Sequence, residues 1–202
     1  MATIGLDKLY YASISEDPTS GEETYAVPKP LAKAISAELS VEVAEAILYA
    51  DDGASEIVKE FKSGTLTLGV DDLGAEAAAA LTGARLDANG VLISTSEDGG
   101  TPVAIGFRAA RSNGKYQYFW FYRVKFALPG TTLATKADSI TFSTPSIEGT
   151  ILRRNKPDAT GKHPWKAEVT EGATGVKAET ISGWYTQVYE PAATTSPKPT
   201  NN

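Results

Sequence analysis

Apolar and polar residues alternate along most of this chain. Residues 31–43, "LAKAISAELSVEV", set Ile35, Ala37, Leu39, Val41 and Val43 against Ser36, Glu38, Ser40 and Glu42. Residues 61–70, "FKSGTLTLGV", set Leu66, Leu68 and Val70 against Ser63, Thr65 and Thr67. A period of two with one polar face predicts strands that are half buried or line a wet lumen. Residues 102–128 predict a long hairpin, with Ser112-Asn113-Gly114 as the turn between two runs. Residues 138–154 predict a strand pair, or one strand broken at Pro145, and 163–171 and 178–190 predict closing strands.

One segment departs from this period. Residues 71–84, "DDLGAEAAAALTGA", combine acids at the start, an Ala-rich middle and Gly83 at the end. Acids suit the positive end of a helix and Gly suits its exit, so a helix is predicted over 72–83, packed on a sheet. These patterns give a mainly β chain with one short helix packed on a sheet. Residues 42–60 read as a long loop, and long loops in compact domains are functional or mobile. Residues 190–202, rich in Pro, Thr and Ser, read as a flexible tail after a single domain over 1–189.

Charge and composition narrow the chemistry. The 202 residues carry a net charge of −6, a poor match to tight, sequence-independent binding of nucleic acid. There is no cysteine, which excludes disulfides, thiolate catalysis and zinc–thiolate sites. A single histidine, His163, cannot build a His-rich metal site, and its "TGKHPWK" surroundings read as an exposed turn rather than part of a catalytic triad. No stretch reads as a secretory signal, and no run of about 18 apolar residues predicts a membrane span. Phosphate-loop, nucleophile-elbow and HExxH motifs are absent. The 25 acidic residues allow many carboxylate pairs and single out none. No catalytic, cofactor or metal residue is therefore expected.

Two features invite sharper readings. "YADDG" at 49–53 has the paired carboxylates of a polymerase palm hairpin, where two Asp would hold Mg²⁺. Only Asp7 and Asp17 precede Asp51, and the chain leaves no room for a fingers domain, so the polymerase reading fails. Asp-Asp-Gly between apolar runs is also ordinary hairpin chemistry. The run "YQYFWFY" at 116–122 could be a stacking platform for sugars or bases. Its aromatics fall on both faces: Tyr116, Tyr118, Trp120 and Tyr122 on one, Phe119 and Phe121 on the other. That pattern favours a strand buried on both sides, or core on one side and interface on the other.

Several strings, in order and spacing, carry a resemblance: "MATIGLDKLYYA", "LYADDGASE", "LTLGVDD", "PVAIGFRAARSNGKYQYFWFYRVKFALPG" and "TKADSITFSTPSIEGTILR". The chain resembles, up to about Glu190, the major tail proteins of long-tailed bacteriophages of the phi13 or TP901-1 type. The resemblance implies a mainly β fold, a β-sandwich or half-barrel with one flanking helix, and a structural subunit forming hexameric rings that stack into a tail tube for DNA delivery. It implies partners, namely further copies of the chain, a tape-measure protein and tail-terminator and tip proteins. DNA would pass through the lumen without specific binding, and no membrane partner is implied. It implies residence in the virion tail after synthesis in the host cytoplasm.

Within that frame, 42–60 would contact the next ring through Ile47, Leu48, Tyr49, Asp51 and Asp52. The face of Ser36, Glu38, Ser40, Thr65 and Thr67 would line the lumen. A ring of six would carry about −36 (6 × −6), repelling its cargo. The alternatives are a tube subunit of a phage-tail-like particle, such as a bacteriocin or gene-transfer particle, a carbohydrate-binding β-sandwich using the aromatic strand, and, last, an enzyme.

Overall fold

A computed structural model describes residues 2–19, 21–50, 53–127 and 144–191, the side chains of 48–50 and 53–56 excepted. In chain order the elements are β1 (Thr3–Glu16), β2 (Glu23–Tyr25), β3 (Lys29–Ala32), β4 (Ala34–Ala50), β5 (Gly53–Val70), α1 (Ala75–Thr82), β6 (Arg85–Leu86), β7 (Leu92–Ile93), β8 (Val103–Arg111), β9 (Tyr116–Phe126), β10 (Ser146–Leu152), β11 (Lys166–Thr170) and α2 (Ala178–Ser182). The main sheet runs β2-β1-β8-β9-β10-β5-β4, with β3 added to β1 and β11 added to β9. Every pairing is antiparallel. The sheet curls until β1 and β4, far apart in strand order, lie side by side without pairing. The fold is mainly β, as the alternation predicts, and its curled sheet with a flanking helix agrees with the fold that the resemblance implies.

The inside of the curl is the main core. Leu9, Tyr11, Val103, Ile105, Phe121, Val124, Phe126, Ile147, Ile151, Leu66 and Leu68 meet there, and α1 adds Ala77 and Leu81. β9 stays on this core throughout because of a bulge. Val103 pairs with Val124 but Ile105 pairs with Phe121, three steps on β9 against two on β8. The extra residue returns Val124 and Phe126 to the face of Phe119 and Phe121. A second bulge in β1 holds Lys8 at φ 52, between Asp7 paired with Arg108 and Tyr10 paired with Gly106.

The outside of the same half of the sheet is also covered. Tyr118, Trp120 and Tyr122 pack with Ala12 and Ala104 beneath the C-terminal segment, which contributes Trp184 and Val188. The Trp120 indole Nε1 donates to the Trp184 carbonyl at 3.0 Å. The Tyr122 hydroxyl donates to the Tyr189 carbonyl at 2.9 Å. Burial raises the Tyr122 and Tyr25 hydroxyls well above the usual phenol range. An ionic clasp closes this layer. Arg123 bonds Glu16 and the buried Glu23, whose other oxygen accepts the Asn155 amide at 2.8 Å. Buried Arg154 pairs with Glu190 at 2.7 Å.

Three expectations are corrected. Residues 178–190 form α2 and turns rather than a strand, because Trp184 and Val188 reach the outer core from an irregular path. Glu190, expected in the tail, is tied to the folded body through Arg154; 192–202 lie outside the described residues. The helix spans Ala75–Thr82, and only Glu76 lies in its first turn. Asp71 instead accepts the amides of Lys33 and Asp72, fixing the chain's turn out of β5. Gly83 does end the helix, in the left-handed conformation at φ 79. The predicted turn at 112–114 joins β8 to β9, with Gly114 at φ 75. Residues 138–143, the first six of the 138–154 stretch, lie outside the described residues.

Candidate functional site

The largest correction concerns 42–60. These residues are not a loop. β4 and β5 pair from Ala34↔Val70 to Ala50↔Gly53, so 42–50 and 53–60 are strand. The charges Glu45, Lys59 and Glu60 interrupt the alternation that would have announced it, because neither face of this stretch has to be uniformly apolar. Asp51 and Asp52 fall outside the described residues, between strands whose ends pair as a hairpin.

The distal half of this hairpin is an arm. β10 covers β5 only from Gly69 to Gly64. Beyond Gly64, among the described residues, β5 pairs with β4 alone. Residues 42–50 of β4 and 53–63 of β5 therefore extend as a two-stranded ribbon, roughly 30 Å long at about 3.3 Å per residue. A bulge marks its root: Glu42 pairs with Ser63 and Val43 with Phe61, leaving Lys62 over. Both Lys62 and the Ser63 hydroxyl donate to Glu42 at 3.3 Å. Phe61 stacks on Trp165 at 4.4 Å and 3°, bracing the root against the body.

The bulge keeps the arm's inner face continuous with the core face of β4. That face carries Val43 and Ile47 opposite Phe61 and Ile57, with a Glu45–Lys59 ion pair at 3.2 Å between them. Its apolar residues are open: Ile57 is 54% exposed, Val43 53% and Ile47 41%. The opening continues down β4, where Val41 is 41% and Leu39 40% exposed. Their neighbours on β5, Leu66 and Leu68, are 0% exposed. β4 is also the last strand of the sheet, so its outer N–H and C=O groups have no strand partner among the described residues. An isolated two-stranded ribbon is marginal in water, and a long, flat, apolar edge is a template for another chain.

Of the five residues expected at the inter-ring contact, Ile47 lies on this open face. Leu48 and Tyr49 sit in β4 opposite Glu56 and Ala54; their side chains, like Asp51 and Asp52, lie outside the described residues. The structure adds Val43 and Ile57 to that face, while Val58, opposite Ala46, is exposed on the other. Their signal in the sequence was β-branching on both sides of a turn dipeptide.

The predicted polar face is real as a face. Glu38 lies opposite Thr67 and Ser40 opposite Thr65, while Ser36 faces Gly69. Ser36, Glu38 and Ser40 are exposed; Thr65 and Thr67 are half-buried. The rows continue across β10 to Ser146, Glu148 and Thr150, legible in the alternation of "SIEGTIL". One row ends on exposed Lys125 of β9, opposite Thr150, so the face is not free of cations.

The aromatic run is no platform. Trp120 and Tyr122 are 0% exposed and Phe121 1%. Both faces of β9 are core. His163 is exposed, with Nδ1 3.1 Å from the Arg154 carbonyl. Among the described residues no cluster of three or more His, Asp or Glu could hold a metal, and no helix is long and apolar enough to cross a membrane.

Set against known proteins, the chain matches no family model and no curated relative.

Proposed function

We propose that this chain is a structural subunit of a phage tail tube, associating head to tail into rings that stack around a conduit for DNA. One observation carries the reading: a body closed on both faces of its central strand bears an open 17-residue edge strand that runs on into an exposed apolar arm. A surface of that kind is costly for a protein that works alone. It suits a contact between unlike surfaces of identical copies, which propagates rather than closing on itself as a twofold dimer does. The resemblance to major tail proteins supplies the biological setting: a virion tail, with tape-measure, terminator and tip proteins as partners.

The polar rows of Ser36, Glu38, Ser40, Thr65 and Thr67 fit a wall that carries DNA without holding it. Hydroxyls hydrate well, and carboxylates repel phosphate. Negative-stain microscopy of the concentrated protein is the test, with hollow tubes of uniform width expected. Monomers alone at every concentration and salt tried, together with specific glycan binding, would overturn the proposal.

A further inference from the structure

The place where β1 and β4 lie side by side is an open seam. Residues 3–8 of β1 pair with β8 on one side and with no strand on the other among the described residues, and β4 has its open edge nearby. Between them lies a cleft of about 520 Å³. Its walls are apolar: Leu6 from β1, Ile35 and Leu39 from β4, and Phe107, Phe119 and Leu66 from the strands behind. It opens into the main core, with Thr3 and Ser36 as the polar part of a mainly apolar lining.

We infer that this cleft receives the inner face of the arm of a second copy of the chain, with Ile57 and Ile47 entering between β1 and β4. The inference rests on the tube reading and names the two surfaces that would meet. Three observations select a second copy as the occupant. Each chain carries one arm and one cleft, so a head-to-tail array satisfies every copy except those at its ends. The arm cannot fill its own cleft, because β4 and β5 stay paired as far as Ala50↔Gly53 and carry Ile47 and Ile57 away from the body.

The areas also fit. The exposed apolar residues of β4 and the arm present on the order of 500 Å², as large as the largest patch on a typical monomer. The cleft and its unpaired edges bring the contact towards the ~800 Å² per partner of a standard stable interface. The cleft wall at Ile35 and Leu39 continues into the arm stripe at Val41 and Val43, so one docked arm extends the apolar cover from copy to copy.

The chain has no cysteine, so engineered thiols report without background. Thr3 lines the cleft and is exposed; Ile57 is on the arm. Thr3→Cys and Ile57→Cys chains, mixed, assembled and oxidised, should give a disulfide-linked heterodimer well above either homodimer. The double variant should give a ladder. A thiol at exposed Asn89 in place of Thr3 should not. Ala37→Phe fills the cleft from β4 at little cost to the fold, since Ala37 lines the cleft and is exposed, opposite Leu68 on the core side of the strand. Its monomer should melt like wild type while its critical concentration for assembly rises by about tenfold or more, as when an interface pocket is lost. Tubes that form without the Thr3–Ile57 link, or from Ala37→Phe at the wild-type concentration, would overturn the docking and leave the tube reading standing. A wild-type protein that forms no tubes would remove both.

Discussion

β9 and the distal β4–β5 arm are both long antiparallel strands rich in residues that favour sheets, yet they live in opposite environments. β9 is paired along its length and covered on both faces, by the main core on one side and the C-terminal layer on the other. The arm has one pairing partner and no cover on its inner face. The difference lies in what the rest of the chain wraps around each strand. It teaches that alternation tells which residues share a face and says nothing of whether that face will be covered by the same molecule. The buried strand belongs to folding, and the open one to association.

The sharpest way to break the comparison is to truncate the large side chains of β9. Trp120→Ala and Phe121→Ala each open a cavity in a different layer, and each should cost about 3–5 kcal/mol. That is comparable with the whole stability of a domain of this kind. Both variants should be unfolded or aggregated by circular dichroism and sedimentation. Native-like melting of either would mean that its layer is not core.

A smaller effect is expected at Gly106. A Cβ there would meet the Trp120 ring at 2.8 Å, and the ring has no room to retreat because Trp184 and Tyr185 lie on its other sides. Gly106→Ala should destabilise by about 1–3 kcal/mol through overpacking. Chemical denaturation will show whether the midpoint falls with the slope unchanged.

On the arm the same kind of change should scarcely touch the fold. Ile47→Ser with Ile57→Ser should leave monomer stability within about 0.5 kcal/mol of wild type, as for other exposed positions. Assembly, followed by light scattering, should be lost. A large fall in melting temperature would show that the arm stabilises its own body, and the contrast with β9 would collapse.

The sequence disclosed the two regions unequally. The β8–β9 hairpin was legible because Asn113-Gly114 marks the turn and long apolar runs flank it. The helix was legible from its Ala run and Gly83. Burial of both faces of β9 was legible because aromatics occupy both parities from Tyr116 to Tyr122. The arm was not, since a ribbon with mixed faces has no period to read, and Glu45, Lys59 and Glu60 look like loop chemistry. Bulges were invisible as well. The extra residues at Lys8 and Lys62, and the one in β9 before Val124, change parity without any turn residue to announce them. Nor could the sequence show that Trp184 and Val188 would arrive from a turn-rich segment to cover Trp120. That depends on contacts across more than sixty residues.

The finest test lies at the arm's base, on the polar face. Glu38 is exposed on the edge strand, opposite Thr67, and Glu148 stands in the same row one strand further on. Two strand spacings put the two carboxylates about 10 Å apart. At that distance across water their repulsion is a few tenths of a kcal/mol at most. Glu38→Lys turns this weak repulsion into weak attraction, so the monomer should be no less stable than wild type, and the arm's apolar face is untouched. Assembly should therefore survive. What changes is the charge each copy places on this face: −1 becomes +1 at one position, in a row beside that of Lys125. If the face lines a DNA conduit, particles built from the variant should release their genome more slowly. The delay should shrink as salt shortens the reach of the new charges below about 10 Å. Variant particles with unchanged release at low salt would place Glu38 away from DNA and make the polar face an ordinary solvated exterior.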